Sequence, residues 1–156
     1  MKPKVYLETT IPSLLTAWPS RDISVAGMQQ TTRDWWDQRR QRYELFVSTL
    51  VMKEVERGDA RAAAERVASL LACQVLPYSR EAEDLTRALL ASRLIPVRAE
   101  TDAAHVATAA VHGMDFLLTW NCRHIANAII SEQLRHICDH EGFPAPVICT
   151  PHELMI

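Results

Sequence analysis

Glycine is scarce, with only four in the 156 residues, and no GxGxxG, Walker-type or GxSxG stretch is present. Phosphate cradles and nucleophile elbows need glycine where the backbone turns sharply or approaches a ligand closely, so nucleotide-binding loops and serine-hydrolase elbows are disfavoured. The four cysteines, Cys73, Cys122, Cys138 and Cys149, form no CxxC pair and no tight framework. That pattern points to a reducing, cytoplasmic setting. A zinc site is disfavoured too, because Cys122-Arg123-His124 and Cys138-Asp139-His140 each separate their pair by a single residue. No signal-like apolar stretch opens the chain, and no run approaches the ~18 consecutive apolar residues of a membrane helix, so a soluble protein without a membrane partner is expected. Charge of one sign is missing as well: seventeen Lys and Arg face nineteen Asp and Glu, for a net −2. No global positive field advertises a nucleic acid, and such a partner needs a local patch. Arg33, Arg39, Arg40 and Arg42, interleaved with Trp35, Trp36 and Tyr43, form one candidate; a solvated helix face beside core aromatics is the alternative.

What the chain does contain is a composition typical of globular proteins, 48% hydrophobic and 23% charged, at a length that accommodates one domain spanning 1–156. Lys4 to Leu7 reads as a strand ending at the polar tip Glu8-Thr9-Thr10, after which Ile11-Pro12 starts a helix with proline near its first position. A long helix is expected from Asp22 to about Tyr43, with Trp35 and Trp36 anchoring it to the core. Leu45 to Thr49 is β-prone, and Leu50 to Arg57 turns helical until Gly58-Asp59 breaks it. Ala60 to Ala72 predicts a helix, Cys73 to Leu76 a strand, and Ser79 to Ser92 a helix capped by Ser79. Leu94-Ile95-Pro96 interrupts the chain. A helix from Thr101 to His112 follows, opened by a threonine cap and closed by Gly113. Phe116 to Thr119 is a strand ending at Trp120-Asn121, Ile125 to His140 a helix, and Val147 to Cys149 a last strand after the loop 142–146. Strands separated by helices argue for an α/β fold, a parallel sheet covered on both faces, with ligands at the carboxyl ends of strands.

Four polar residues are candidates: Glu8 ends the first strand, Glu54 lies on the helix after the second, Asp102 starts a later helix, and Asn121 ends the next strand; three of these four places are strand-to-helix transitions. Converging carboxylates repel unless a cation neutralises them or protons are taken up. Oxygen ligands suit Mg2+ or Mn2+. Thr9 and Thr10 are read as caps of the helix after the first strand, with orientation of phosphate or water as the alternative. His105, one helical turn after Asp102, is expected to pack or to contact a ligand from behind.

The stretches Val5-Tyr6-Leu7-Glu8-Thr9-Thr10, Ser48 to Val55, Asp102 to Ala109 and Leu117 to Asn121 resemble, in their order and spacing, the acidic motifs of PIN domains, especially the VapC-type toxins of toxin–antitoxin pairs. The resemblance runs from Lys4 through Pro151. It implies a PIN-like three-layer α/β/α domain with a parallel sheet of about five strands. It also implies a divalent cation held by Glu8, Glu54 and Asp102 with Asn121 beside them, hydrolysis of RNA phosphodiesters, a small antitoxin partner and a homodimer. The chain departs from the family twice: Glu8 stands where Asp is usual, one methylene or about 1.5 Å longer, and Asn121 replaces an acid, removing one negative charge. Those departures make a catalytically weak binding or regulatory module the alternative to a ribonuclease.

Overall fold

The computed structural model describes residues 1–156. Strands β1 (Lys4–Leu7), β2 (Glu44–Ser48), β3 (Gln74–Leu76), β4 (Phe116–Leu118) and β5 (Val147–Cys149) form one sheet in the order β3-β2-β1-β4-β5, with every neighbouring pair parallel. Parallel neighbours need crossovers, and seven helices supply them: α1 (Thr10–Thr16), α2 (Ile23–Gln38), α3 (Thr49–Val55), α4 (Ala60–Ser69), α5 (Arg80–Ala91), α6 (Glu100–Val111) and α7 (Ser131–His140). Helices α1, α2 and α4 pack together, as do α5, α6 and α7, while α3 touches both α4 and α6. The result is the expected three-layer α/β/α arrangement. Val5, Tyr6 and Leu7 of the middle strand are wholly buried, as a strand covered on both faces must be.

The chain leaves β1 toward β2 on one side and later places β4 on the other, so the strand order reverses at β1. At such a reversal the connections diverge and leave a crevice beyond the strand ends. The Leu7↔Leu118 register brings the ends of β1 and β4 level, and Glu8 N–H continues the ladder by donating to Leu118 O at 3.0 Å. The two residues that follow these strands, Glu8 and Thr119, are therefore neighbours although 111 positions apart.

Local chemistry explains several element ends. Asp22 caps α2 by accepting from Ser24 and Val25 N–H, Ser48 caps α3 through Val51 N–H, and Ser79 caps α5 through Ala82 N–H. Gly113, at φ +67°, closes α6 in the left-handed region where a Cβ would be penalised. Trp35 is fully buried, stacked on Tyr43 at 5.8 Å and tilted against Trp36 at 6.4 Å; such pairs contribute about 0.5–1.5 kcal/mol each beyond area burial.

Four local expectations are corrected. The helix expected to Tyr43 stops at Gln38 and gives way to a 3-10 turn at Arg40–Arg42. Thr101 caps nothing, because a 3-10 turn over Val97–Ala99 runs directly into α6, whose cap position is Ala99. The helix expected from Ile125 begins only at Ser131. Asn121 Oδ1 accepts from His124 N–H, and Asn127 Oδ1 accepts from Ile129 N–H. Such side-chain bonds offer the backbone an alternative to a helix. Finally, Thr9 occupies the cap position of α1 but makes no capping bond, since its hydroxyl is used elsewhere.

Candidate functional site

Glu8 is buried to 4% exposure, and its carboxylate joins three elements. Oε1 accepts from the Thr10 hydroxyl at 2.9 Å and the Thr119 hydroxyl at 2.7 Å, while Oε2 accepts from Thr10 N–H at 2.8 Å. The last contact places negative charge on a free N–H at the start of α1, which its dipole favours. The Thr10 hydroxyl also accepts from Trp120 N–H at 2.9 Å, and the Thr119 hydroxyl from Asn121 N–H at 2.9 Å. Both threonines serve as links between Glu8 and the turn after β4, in place of the capping role expected for Thr10.

Glu54 sits near the end of α3 and is 26% exposed. Its Oε1 accepts from the Thr9 hydroxyl at 2.9 Å and lies 2.5 Å from His105 Nε2. Burial raises the Glu54 carboxyl, but the hydrogen bond and charge of His105, the Thr9 hydroxyl and Arg57 outweigh it, so Glu54 lies below its ordinary value and stays ionised. Behind it, His105 Nδ1 is 2.7 Å from the Tyr6 hydroxyl, which is 2.7 Å from Ser48 Oγ. Burial holds the Tyr6 phenol far above its usual value despite the Ser48 hydrogen bond, with the charges of Glu8 and Glu54 adding to the rise, so it remains protonated.

Asp102, in the first turn of α6, is 25% exposed, and its Oδ2 lies 2.9 Å from His124 Nδ1. His124 in turn gives its N–H to Asn121 Oδ1 at 3.1 Å. Each acid thus has its own partners: Glu8 the two threonines, Glu54 Thr9 and His105, Asp102 His124. In the sequence, His124 stands out only beside Cys122 as a poor zinc pair, and Tyr6 only as part of the stretch that ends at Glu8. Nothing in spacing marks His124; a phenol amid the apolar run Val5 to Leu7 was a usable signal, because a buried tyrosine hydroxyl needs a partner. The four cysteines are all free.

All four expected positions, Glu8, Glu54, Asp102 and Asn121, line one cleft of about 410 Å³ together with Thr9, Thr10 and Ser13. Leu14, Val25, Met28 and Trp120 add an apolar stretch of lining, with the Trp120 indole N–H held by Thr32 Oγ1 at 2.8 Å. As a donor set, three carboxylates and an amide carbonyl suit a hard divalent cation. Glu54 Oε2 and Asp102 Oδ1 have no hydrogen-bond partner within the protein. Yet no three acidic, histidine or cysteine side chains are drawn together closely enough to hold a metal ion. Repulsion between carboxylates and their separate hydrogen bonds account for this spread.

The basic segment contributes nothing to this cleft. Arg33 donates to Leu15 O and Ala17 O, Arg39 donates to Met155 O at 2.9 Å, and Arg40 lies over the Trp36 ring at 4.9 Å. Arg39 follows Met28 by eleven positions, roughly 17 Å further along α2. Arg39 and Arg40 therefore sit at the end of α2 away from the acids, while Arg33, in the middle of that helix, ties it to the end of α1.

Comparison with known proteins adds to this geometry. The fold is similar to VapBC2 from Rickettsia felis, solved bound to a DNA fragment from its promoter, with 10% identity over 94% of this chain and 97% of that one and a TM-score of 0.61. It is similar also to Mycobacterium tuberculosis VapC20, a sarcin-ricin loop cleaving toxin, with 14% identity over 92% and 100% and a TM-score of 0.61. DNA-bound VapBC from Salmonella typhimurium shares 18% identity over 96% and 98%, with a TM-score of 0.51. No curated protein matches the chain. The PIN domain family matches residues 28–128, a span that includes Glu54, Asp102 and Asn121 and leaves out Glu8. With well over half its length in that match, this chain belongs to the PIN domain family.

Proposed function

We propose that the protein is a divalent-metal-dependent ribonuclease that hydrolyses RNA phosphodiesters, acting as the toxin of a toxin–antitoxin pair. The observation that carries this reading is that Glu8, Glu54, Asp102 and Asn121 all line one cleft beyond the carboxyl ends of β1 and β4. Membership of the PIN family and likeness to a toxin that cleaves the sarcin-ricin loop support it, and likeness to two VapBC assemblies supports an antitoxin partner for this chain.

Glu54 and Asp102 would offer a magnesium or manganese ion their free oxygens, with Glu8 and the Asn121 carbonyl beside them. Such an ion supplies Lewis acidity toward a phosphoryl oxygen and a bound water of lowered pKa. Thr9 and His105 hold Glu54, His124 holds Asp102, and Thr10 with Thr119 fixes Glu8 across the strand ends. Trp120, Met28 and Val25 lend the cleft apolar surface against which a base can lie.

Two observations favour a second reading, a catalytically weak binding or regulatory module: three donors already occupy Glu8, and the acids are not gathered. Manganese-dependent cleavage of RNA by the purified chain, abolished by chelation, supports the ribonuclease. Metal binding without cleavage supports the module.

A further inference from the structure

A chain of buried polar groups lies behind Glu54. Tyr6 and Ser48 are 0% and His105 1% exposed, so each polar atom there is sheltered from water and must be satisfied within the protein. The chain runs from Ser48 Oγ to the Tyr6 hydroxyl at 2.7 Å, to His105 Nδ1 at 2.7 Å, and from Nε2 to Glu54 Oε1 at 2.5 Å. An ionised carboxylate only accepts, so the hydrogen in the last contact belongs to His105 Nε2. Both ring nitrogens are engaged, and the imidazole cannot turn without losing a partner.

The path also closes on itself. Ser48 caps the start of α3 through Val51 N–H at 3.3 Å, and Glu54 lies near the end of the same helix. From one end of α3 to the other, the bonds pass through β1 and α6, which fixes the helix against both. Thr9 takes the same Oε1 that His105 takes. Oε2 is left as the Glu54 oxygen without a partner in the protein, on a residue that lines the acid cleft.

We propose that Tyr6 and His105 are positioning residues that tie down Glu54 Oε1 and so present Oε2 to the divalent cation; this rests on the metal-dependent reading above. Groups that orient a metal ligand from behind commonly contribute ten- to a hundredfold to metal affinity.

The test uses the full chain, with calorimetric titration of Mn2+ into the parent, Tyr6→Phe, His105→Leu and His105→Gln below the melting point of each. His105→Leu weakens Mn2+ binding by about ten- to a hundredfold. His105→Gln, which keeps an N–H near the Nε2 position, restores much of that loss, and Tyr6→Phe, which removes one oxygen, falls between. A folded His105→Leu that binds Mn2+ like the parent overturns the proposal, as do equal losses in the Leu and Gln variants, the mark of a purely structural role. Should His105→Leu fail to fold, Tyr6→Phe decides alone: parental affinity there overturns the proposal. Ring-nitrogen NMR of the metal-free, 15N-histidine protein separates this inference from the metal reading. A protonated Nε2 whose resonance moves in Glu54→Gln upholds the positioning contact even if the parent takes up no manganese, in which case the metal reading falls and the presentation of Oε2 to a cation falls with it. An Nε2 indifferent to Glu54→Gln overturns the positioning.

Discussion

Removing Glu8 should destabilise the metal-free protein. If Glu8 served only as one of several mutually repelling ligands, its loss would relieve repulsion and raise the melting temperature in the absence of metal. The structure predicts the opposite sign. Its carboxylate accepts from Thr10 N–H, the Thr10 hydroxyl and the Thr119 hydroxyl at 2.7–2.9 Å, and in Glu8→Ala those donors lose their acceptor in a buried place. Leaving buried neutral donors without their acceptor costs about 1–3 kcal/mol. At about 2–4 °C per kcal/mol for a domain of this size, the melting temperature should fall by roughly 2–12 °C. Glu8→Gln keeps one carbonyl acceptor but turns an NH2 toward donors, and should lose about half as much. Circular-dichroism melts in EDTA read both variants. An unchanged or raised melting temperature for Glu8→Ala would refute the reasoning.

Three other outcomes are expected. Asn121→Asp keeps the acceptor for His124 N–H and adds a fourth carboxylate to the cleft, so Mn2+ binding should tighten and the gap between melting temperatures with and without metal should widen; calorimetry that finds no tightening places Asn121 outside the site. Because Glu54 is lowered by His105, Thr9 and Arg57 against the raising effect of burial, its contribution to stability is complete above its unfolded pKa of about 4.5 and is lost as pH falls through the lowered folded value. Glu54→Gln should therefore flatten that acid limb in urea melts, and an unaltered limb would contradict the coupling. Self-association is expected through apolar surface such as Trp18 and Ile23, 85% and 90% exposed; a monomer mass by light scattering at micromolar concentrations would count against it.

The order of elements was legible because apolar runs, proline breaks and caps act locally. Val5 to Leu7 and Val147 to Cys149 read directly as strands, and Asp22, Ser79 and Gly113 act at helix ends as their chemistry requires. The placement of Glu8 and Asn121 followed from strand ends in a parallel sheet, while Glu54 and Asp102 reach the same cleft from α3 and α6. What lay beyond the sequence were choices decided by tertiary partners. Thr9 has the composition of a cap but finds Glu54, 45 positions away. His105 follows Asp102 by one helical turn yet bonds Glu54 and Tyr6, because its side of α6 is buried against the sheet. Arg33, Arg39 and Arg40 stand out in the sequence, but the carbonyls and the indole ring that they meet do not.

The central claim, that these acids serve metal-dependent cleavage of RNA, is tested most directly by incubating the purified chain with a mixed-sequence, end-labelled RNA in manganese, beside its Asp102→Asn variant and a chelated control. The account predicts endonucleolytic products that vanish with EDTA and fall at least about a hundredfold in Asp102→Asn, the scale of losing one group that stabilises transition-state charge. Cleavage that persists at the parent rate in Asp102→Asn at saturating manganese would contradict it.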